Sequence, residues 1–236
     1  MRIACCLLIV GSCCLHACQG KKAHEDNPSP ENGYIALFNG VDLQGWKTTP
    51  EVLEHWRVTD ASVAFDGTQG DLWSNESFEN FELLVDWRWI GESQGPRNRP
   101  LIEPDGAYQL DEDGKQVTVE VEERDSGIYL RGNSKSQVNI WVWPVGSGEV
   151  WGYRTDGSMP AQTRAAATPK LCADNPVHEW NQFRIRLEGE TLNVHLNDQH
   201  VIANCDLPGI PVSGPIALQA HGSAIEFRNI FIKPLP

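Results

Sequence analysis

Several side chains that bind or move protons crowd into one short segment, where Glu149, Tyr153, Arg154 and Asp156 sit among Gly146, Gly148 and Gly152. A carboxylate there could act as a general base, with an arginine beside it to polarise a bound group. The same spacing also suits a solvated loop pinned by salt bridges. His221 follows Gln219 in a Gln219-Ala220-His221-Gly222 turn, where it could serve as a base, as a metal ligand, or as a turn histidine packed under a sheet. Arg131, Gln137 and Asn139 share odd parity, so on strands they would reach one face together. They are either donors lining a groove or an ordinary polar exterior.

Trp141 and Trp143 continue that parity. Indole rings stack on the C–H faces of sugars, and they also fill cores. The cluster Glu120, Glu122, Glu123 and Asp125 reads as a solvated strand end, with a divalent-cation site as the alternative. Outside the first eighteen residues there is no G-x-S-x-G elbow, nucleotide-binding glycine loop, H-E-x-x-H or C-x-x-C pair, so those chemistries have no local signature.

The elements that must position these residues are strands. Phe81, Leu83, Val85, Trp87 and Trp89 alternate with Glu82, Asp86 and Arg88, a period of two with one buried face. Phe183, Ile185 and Leu187 repeat the pattern, turn at Glu188-Gly189-Glu190, and continue as Leu192, Val194 and Leu196. Asn197-Asp198 turns towards His200-Val201-Ile202, and two further strands flank His221-Gly222-Ser223. No amphipathic helix of ten residues or more is evident. Many short strands with close turns predict an all-β sandwich or barrel. Residues 91–113 and 144–177 do not fit a strand ladder, and the second stretch is expected to form a long ordered loop.

A hydrophobic share of 40% against 22% charged residues supplies a sizeable core. The formal net charge of -13 argues against a phosphate-neutralising surface, and so against nucleic acid as a partner. The chain opens with Arg2 and an apolar run from Ile3 to Val10, too short to span a bilayer. Leu15-His16-Ala17-Cys18 resembles a bacterial lipoprotein cleavage site, with His16 an unusual occupant. Residues 1–17 are therefore expected to be a signal peptide, Cys18 the lipidated residue, and 18–32 a polar tether. That places the protein in the bacterial cell envelope, held to the membrane through its lipid alone. Four of the seven cysteines fall in the leader and a fifth is Cys18. Cys172 and Cys205 remain, either as two separate buried thiols or, the expectation taken here, as a bridge that would contribute about 3–4 kcal/mol.

The segment Leu37-Phe38-Asn39-Gly40-Val41-Asp42-Leu43-Gln44-Gly45-Trp46 resembles the opening signature of the 3-keto-disaccharide hydrolase family. Six further segments are similar to that family in the same order: Trp56 to Val58, Phe78 to Leu83, Ser126 to Gly132, Asp174 to Asn181, Asn197 to Val201, and Gly214 to Gly222 with Phe227 to Ile230. They span residues 37–232, a single domain over 33–236. The resemblance implies a concanavalin A-like jelly roll of two antiparallel sheets. It also implies a carbohydrate ligand whose C3 hydroxyl has been oxidised to a ketone. One departure stands out: Gln137 occupies a position where the family often has Glu, and a later Asp is missing.

A C3 ketone acidifies the C2 proton, so the glycosidic bond can be cleaved by elimination followed by hydration. That route requires a base and a positive group near the enolate oxygen. The expected assignment makes Arg131 and Arg154 polarising groups and Glu149 or His221 the base. Gln137, Asn139, Trp141, Trp143, Tyr153, Asp156 and Gln219 are the expected substrate contacts. The alternative is a non-catalytic carbohydrate-binding sandwich, because one fold hosts both.

Overall fold

Phe81, Leu83, Val85, Trp87 and Trp89 face the middle of the molecule, and all five are at most 3% exposed. Burying each such side chain stabilises the fold by about 1.5–3 kcal/mol. The structure, a computed structural model, describes residues 28–236. The expected signal peptide, the expected lipidation site at Cys18 and most of the expected tether lie outside those residues.

The strands are β1 (Ile35–Ala36), β2 (Trp56–Thr59), β3 (Ser62–Phe65), β4 (Leu72–Trp73), β5 (Phe81–Trp89), β6 (Pro96–Pro100) and β7 (Thr118–Glu122). They continue as β8 (Asp125–Leu130), β9 (Asn133–Trp141), β10 (Asn181–Glu188), β11 (Thr191–Leu196), β12 (Gln199–Asp206), β13 (Ala217–Leu218) and β14 (Ile225–Pro234). Eight of them form one antiparallel sheet in the order β12-β11-β10-β5-β14-β3-β2, with β1 on β14. The order β4-β13-β8-β9 makes the second sheet, and β6 pairs with β7 as a separate ribbon. The fold is the expected all-β jelly roll.

One hydrophobic cluster joins the sheets. The large sheet contributes Phe81, Leu83, Phe183, Ile185, Val194 and Phe227, and the small sheet Ile128, Leu130, Val138, Ile140 and Leu218. β5 is buried more evenly than its alternation suggests, with Leu84 and Asp86 also below the surface. It lies between β10 and β14, and Asp86 is satisfied there by Gln182 at 2.8 Å and Asn229 at 2.7 Å.

Residues 144–177 do not form a plain loop. They carry two short helices, α2 (Trp151–Arg154) and α3 (Ala161–Ala166), packed against β9 and β12. Gly152 permits the first contact, because a Cβ there would meet the Lys135 carbonyl oxygen at 2.4 Å. The irregular 91–113 stretch likewise contains β6.

The expected disulfide is corrected: Cys172 and Cys205 are free thiols. Cys205 is buried on β12, where burial pushes its thiol up to about 12. Cys172 is exposed and contacts Asp174 at 3.5 Å.

Candidate active site

Strand pairing decides which side chains meet. β8 and β9 run antiparallel with Asp125 opposite Trp141 and Gly127 opposite Asn139. The even residues of this pair enter the core, so the odd ones point to the outer face of the small sheet. Gln219 follows β13, whose Ala217 lies opposite Tyr129, and joins the same face. A hollow of about 380 Å³ forms there, lined by Arg99, Asp125, Gln137, Asn139, Trp141, Trp143, Trp151, Gln219 and His221.

Six residues expected at the site meet in this hollow: Gln137, Asn139, Trp141, Trp143, Gln219 and His221. Trp141 and Trp143 stack on each other, centroids 4.1 Å apart and 6° from parallel. The Arg99 guanidinium lies 4.8 Å over the Trp143 ring, so these two indoles form a wall. Trp151 is the open aromatic surface, being 48% exposed. Beyond it lies a second hollow of about 600 Å³, lined by Tyr108, Leu110, Arg164 and neighbours and sharing Trp151 with the first.

Asp125, which sequence reading grouped with a cation-binding cluster, is the distinctive charged group of the site. Burial, and then the charge of Glu123, push its carboxyl from an ordinary 3.8 up to about 7, against the opposing pull of Arg99. Arg99 is held by Glu123 through a two-pronged ion pair, with one contact at 2.8 Å. The β6–β7 ribbon delivers it, anchored by the Gln94 N–H to the Glu123 carbonyl at 2.9 Å. His221 Nε2 stands 3.8 Å from Asp125 Oδ2. Parity offered the missing signal for Asp125: the rule that grouped Gln137 with Asn139 also places residue 125 with them, one strand earlier. Arg99 carried no such signal, because the ribbon's place over the sheet is a tertiary fact.

Five expected residues are not in the first hollow. Arg131 follows the end of β8 with φ of 50°, which breaks the alternation and turns it away. Its guanidinium donates to the carbonyls of Glu79 at 2.6 Å, Gly189 at 2.7 Å and Pro211 at 3.2 Å, tying three turns together. Glu149 and Arg154 form an ion pair whose side chains are at most 1% exposed. That pair sits behind Asn139, whose amide donates to Glu149 at 3.4 Å, while Arg154 also donates to the Gly106 carbonyl at 3.1 Å. Arg154 borders the second hollow only. Tyr153 is a core residue, its hydroxyl pushed up to about 12 by burial. Asp156 is bound by Lys135 at 2.6 Å, and that hydrogen bond holds its carboxyl well below the usual carboxylate range.

The cation-site reading of the acidic cluster also fails on geometry. Glu120 and Glu122 project from the β6–β7 ribbon, Glu123 is taken by Arg99, and Asp125 faces the hollow. Among the described residues no three His, Cys, Asp or Glu side chains converge to hold a metal.

Residues 33–233 match the family described as the 3-keto-alpha-glucoside-1,2-lyase-like domain. The chain belongs to that family. A 3-keto-disaccharide hydrolase of Bacteroides thetaiotaomicron is 24% identical over 249 residues, covering 88% of this chain and 80% of that protein. A crystal structure of a candidate glycosyl hydrolase from Parabacteroides distasonis superposes with a TM-score of 0.57 at 19% identity, covering 88% of this chain and 96% of that one. A second such structure from the same organism gives 0.57 at 22% identity, covering 86% and 84%. These two likenesses establish the fold of this family member.

Two stability predictions follow from the charges. Because Asp125 is raised when folded, the folded chain keeps a proton that the unfolded chain loses from about pH 4 upward. Stability therefore falls as pH rises to about 7 and levels off above it. Asp125→Asn, which cannot ionise, should match the parent at pH 4 and exceed it at pH 8 by on the order of 2–4 kcal/mol, read by urea unfolding. Glu149→Gln leaves Arg154 buried and unpaired, so it should lose about 3–5 kcal/mol in the same assay.

Proposed function

We propose that this protein is a hydrolase that cleaves 3-keto-glycosides by elimination and hydration, with Asp125 as the proton-transferring group. The observation that carries the reading is the meeting, in one sugar-sized hollow, of a carboxyl poised near 7 with a guanidinium, an imidazole and three amides. A group with that pKa exists in both protonation states at neutral pH, as acid–base catalysis requires. Ordinary glycoside hydrolysis instead uses two carboxyl groups flanking the bond, and Asp125 is the one carboxylate lining this hollow. A ketone at C3 removes the need for the second.

The steps balance without an outside reagent other than water. The Asp125 carboxylate takes the C2 proton, and the electron pair moves towards the C3 carbonyl oxygen, where Arg99 supplies positive charge. As the enolate collapses, a C1–C2 double bond forms and the bond from C1 to the leaving oxygen breaks. Asp125 returns its proton to that oxygen. Water then adds, its hydroxyl to C1 and its proton to C2. The ketosugar ring fits the first hollow, and the leaving group extends past Trp151 into the second.

Purified protein should cleave a 3-keto-disaccharide and leave the unoxidised parent intact, with kcat/KM rising through about pH 7 as Asp125 ionises. Asp125→Asn should lower turnover by about 100-fold or more, and Trp151→Ala should act chiefly on KM. Intact binding of the ketosugar with no turnover would sink the enzymatic reading in favour of a binding module.

We also propose export and lipid anchoring at Cys18, supported by Leu15-His16-Ala17-Cys18 at the end of an apolar leader. In cells fed a radiolabelled fatty acid, the wild type should take up label and Cys18→Ala should not.

A further inference from the structure

We propose that Gln137 and Gln219 form an amide relay that fixes the proton of neutral His221 on Nε2, making the ring a hydrogen-bond donor to substrate rather than a base. The inference rests on the reading of this hollow as the active site and assigns His221 its part in it.

The relay starts from a group with no choice. The Ser126 carbonyl oxygen can only accept, and it lies 3.2 Å from one end of the Gln137 amide, so that end must be the NH2. The same nitrogen lies 2.7 Å from the Gln219 amide, which must therefore present its oxygen. The Gln219 nitrogen is then turned the other way, 2.8 Å from the Tyr129 hydroxyl and 3.1 Å from His221 Nδ1. With both hydrogens so directed, Nδ1 must accept. A neutral imidazole carries one proton, so it resides on Nε2, the nitrogen 3.8 Å from Asp125.

The geometry is held from two sides. A Cβ on residue 127 would lie 2.3 Å from the Gln137 nitrogen, so a glycine is what lets this side chain lie across β8. The Gln219 backbone is fixed by its N–H to the Gly127 carbonyl at 2.9 Å and by Ser126 Oγ to its own carbonyl at 2.9 Å. The charged and titratable groups around the ring are Asp125 and the Arg99–Glu123 pair from one side, and Tyr129 and Asp71 from the other. Asp71 accepts the Ala220 N–H at 2.9 Å. A neutral imidazole N–H can stabilise a developing enolate oxygen, as in the established pattern where a neutral histidine polarises a carbonyl. Asp125 then keeps the base role alone.

The test reads the ring directly. Two-bond 1H–15N spectra of labelled protein, with His221 assigned by the peak lost in His221→Asn, should show a protonated Nε2 and a bare Nδ1. Gln137→Glu turns the relay round: the carboxylate takes the Gln219 N–H, the amide oxygen faces Nδ1, and the proton should move there. Unchanged peaks for His55, His178, His195 and His200 would certify the fold of the variant. A bare Nε2 in the wild type, or one tautomer shared by both proteins, overturns the relay. Wild-type turnover of the 3-keto-disaccharide tests the functional reading separately, because the ring proton is visible whether or not the protein is active. In an active protein, Gln137→Glu should lower kcat at least ten-fold while the ionisation of Asp125 still sets the pH profile.

Discussion

The register between β8 and β9 is the constraint on which the site depends. With Asp125 opposite Trp141 and Gly127 opposite Asn139, one face of this pair sends Ile128, Leu130, Val138 and Ile140 into the core and the other is built from a carboxyl, amides and an indole. A slip of one residue would exchange the two sets. Ile128, Val138 and Ile140, all fully buried, make that slip costly, since each would leave the core for a polar cavity. Core packing between the sheets therefore holds the polar face in register.

Burial of Asp125 follows from what lies above this face. The β6–β7 ribbon brings Glu123 and Arg99 alongside the carboxyl, and Trp141, Trp143 and Trp151 wall the hollow that it faces. A carboxyl so placed weakens the fold at neutral pH. Under the proposed elimination that cost has a physical purpose, because a fully solvated aspartate would be too weak a base and too rarely protonated to return a proton. Arg99 is itself tied to Glu123, so it supplies directed positive charge without closing onto Asp125 as a salt bridge.

The buried Glu149–Arg154 pair belongs to the support of the site. It braces the back of Asn139 and the Gly106 turn, and its two residues bracket α2, Glu149 just before the helix and Arg154 at its end. Arg131 plays a comparable part at the far end of β8, where its guanidinium satisfies carbonyls from three turns. Both cases show charged residues in glycine-rich segments acting through buried hydrogen bonds, where local composition alone suggested contact with a ligand.

The long strands and their faces were legible in the sequence, because period-two alternation reports burial wherever one side of a strand meets a core, and the ordered motifs from residue 37 to 232 carried the family. The Phe81–Trp89 strand, the hairpin turning at Gly189 and the odd-numbered set Gln137, Asn139 and Trp141 were all legible on that ground. Tertiary structure alone decided which charges share a cavity. Arg131 obeyed the parity of its neighbours yet left their face through a left-handed backbone turn, and Glu149 and Arg154 neutralised each other out of reach of solvent. Arg99 came to Asp125 on a separate ribbon, and Cys172 and Cys205 stayed apart as free thiols. Alternation is local and survives in the sequence. Charge pairing, burial of a carboxyl and the meeting of distant loops depend on distances that only the folded chain fixes.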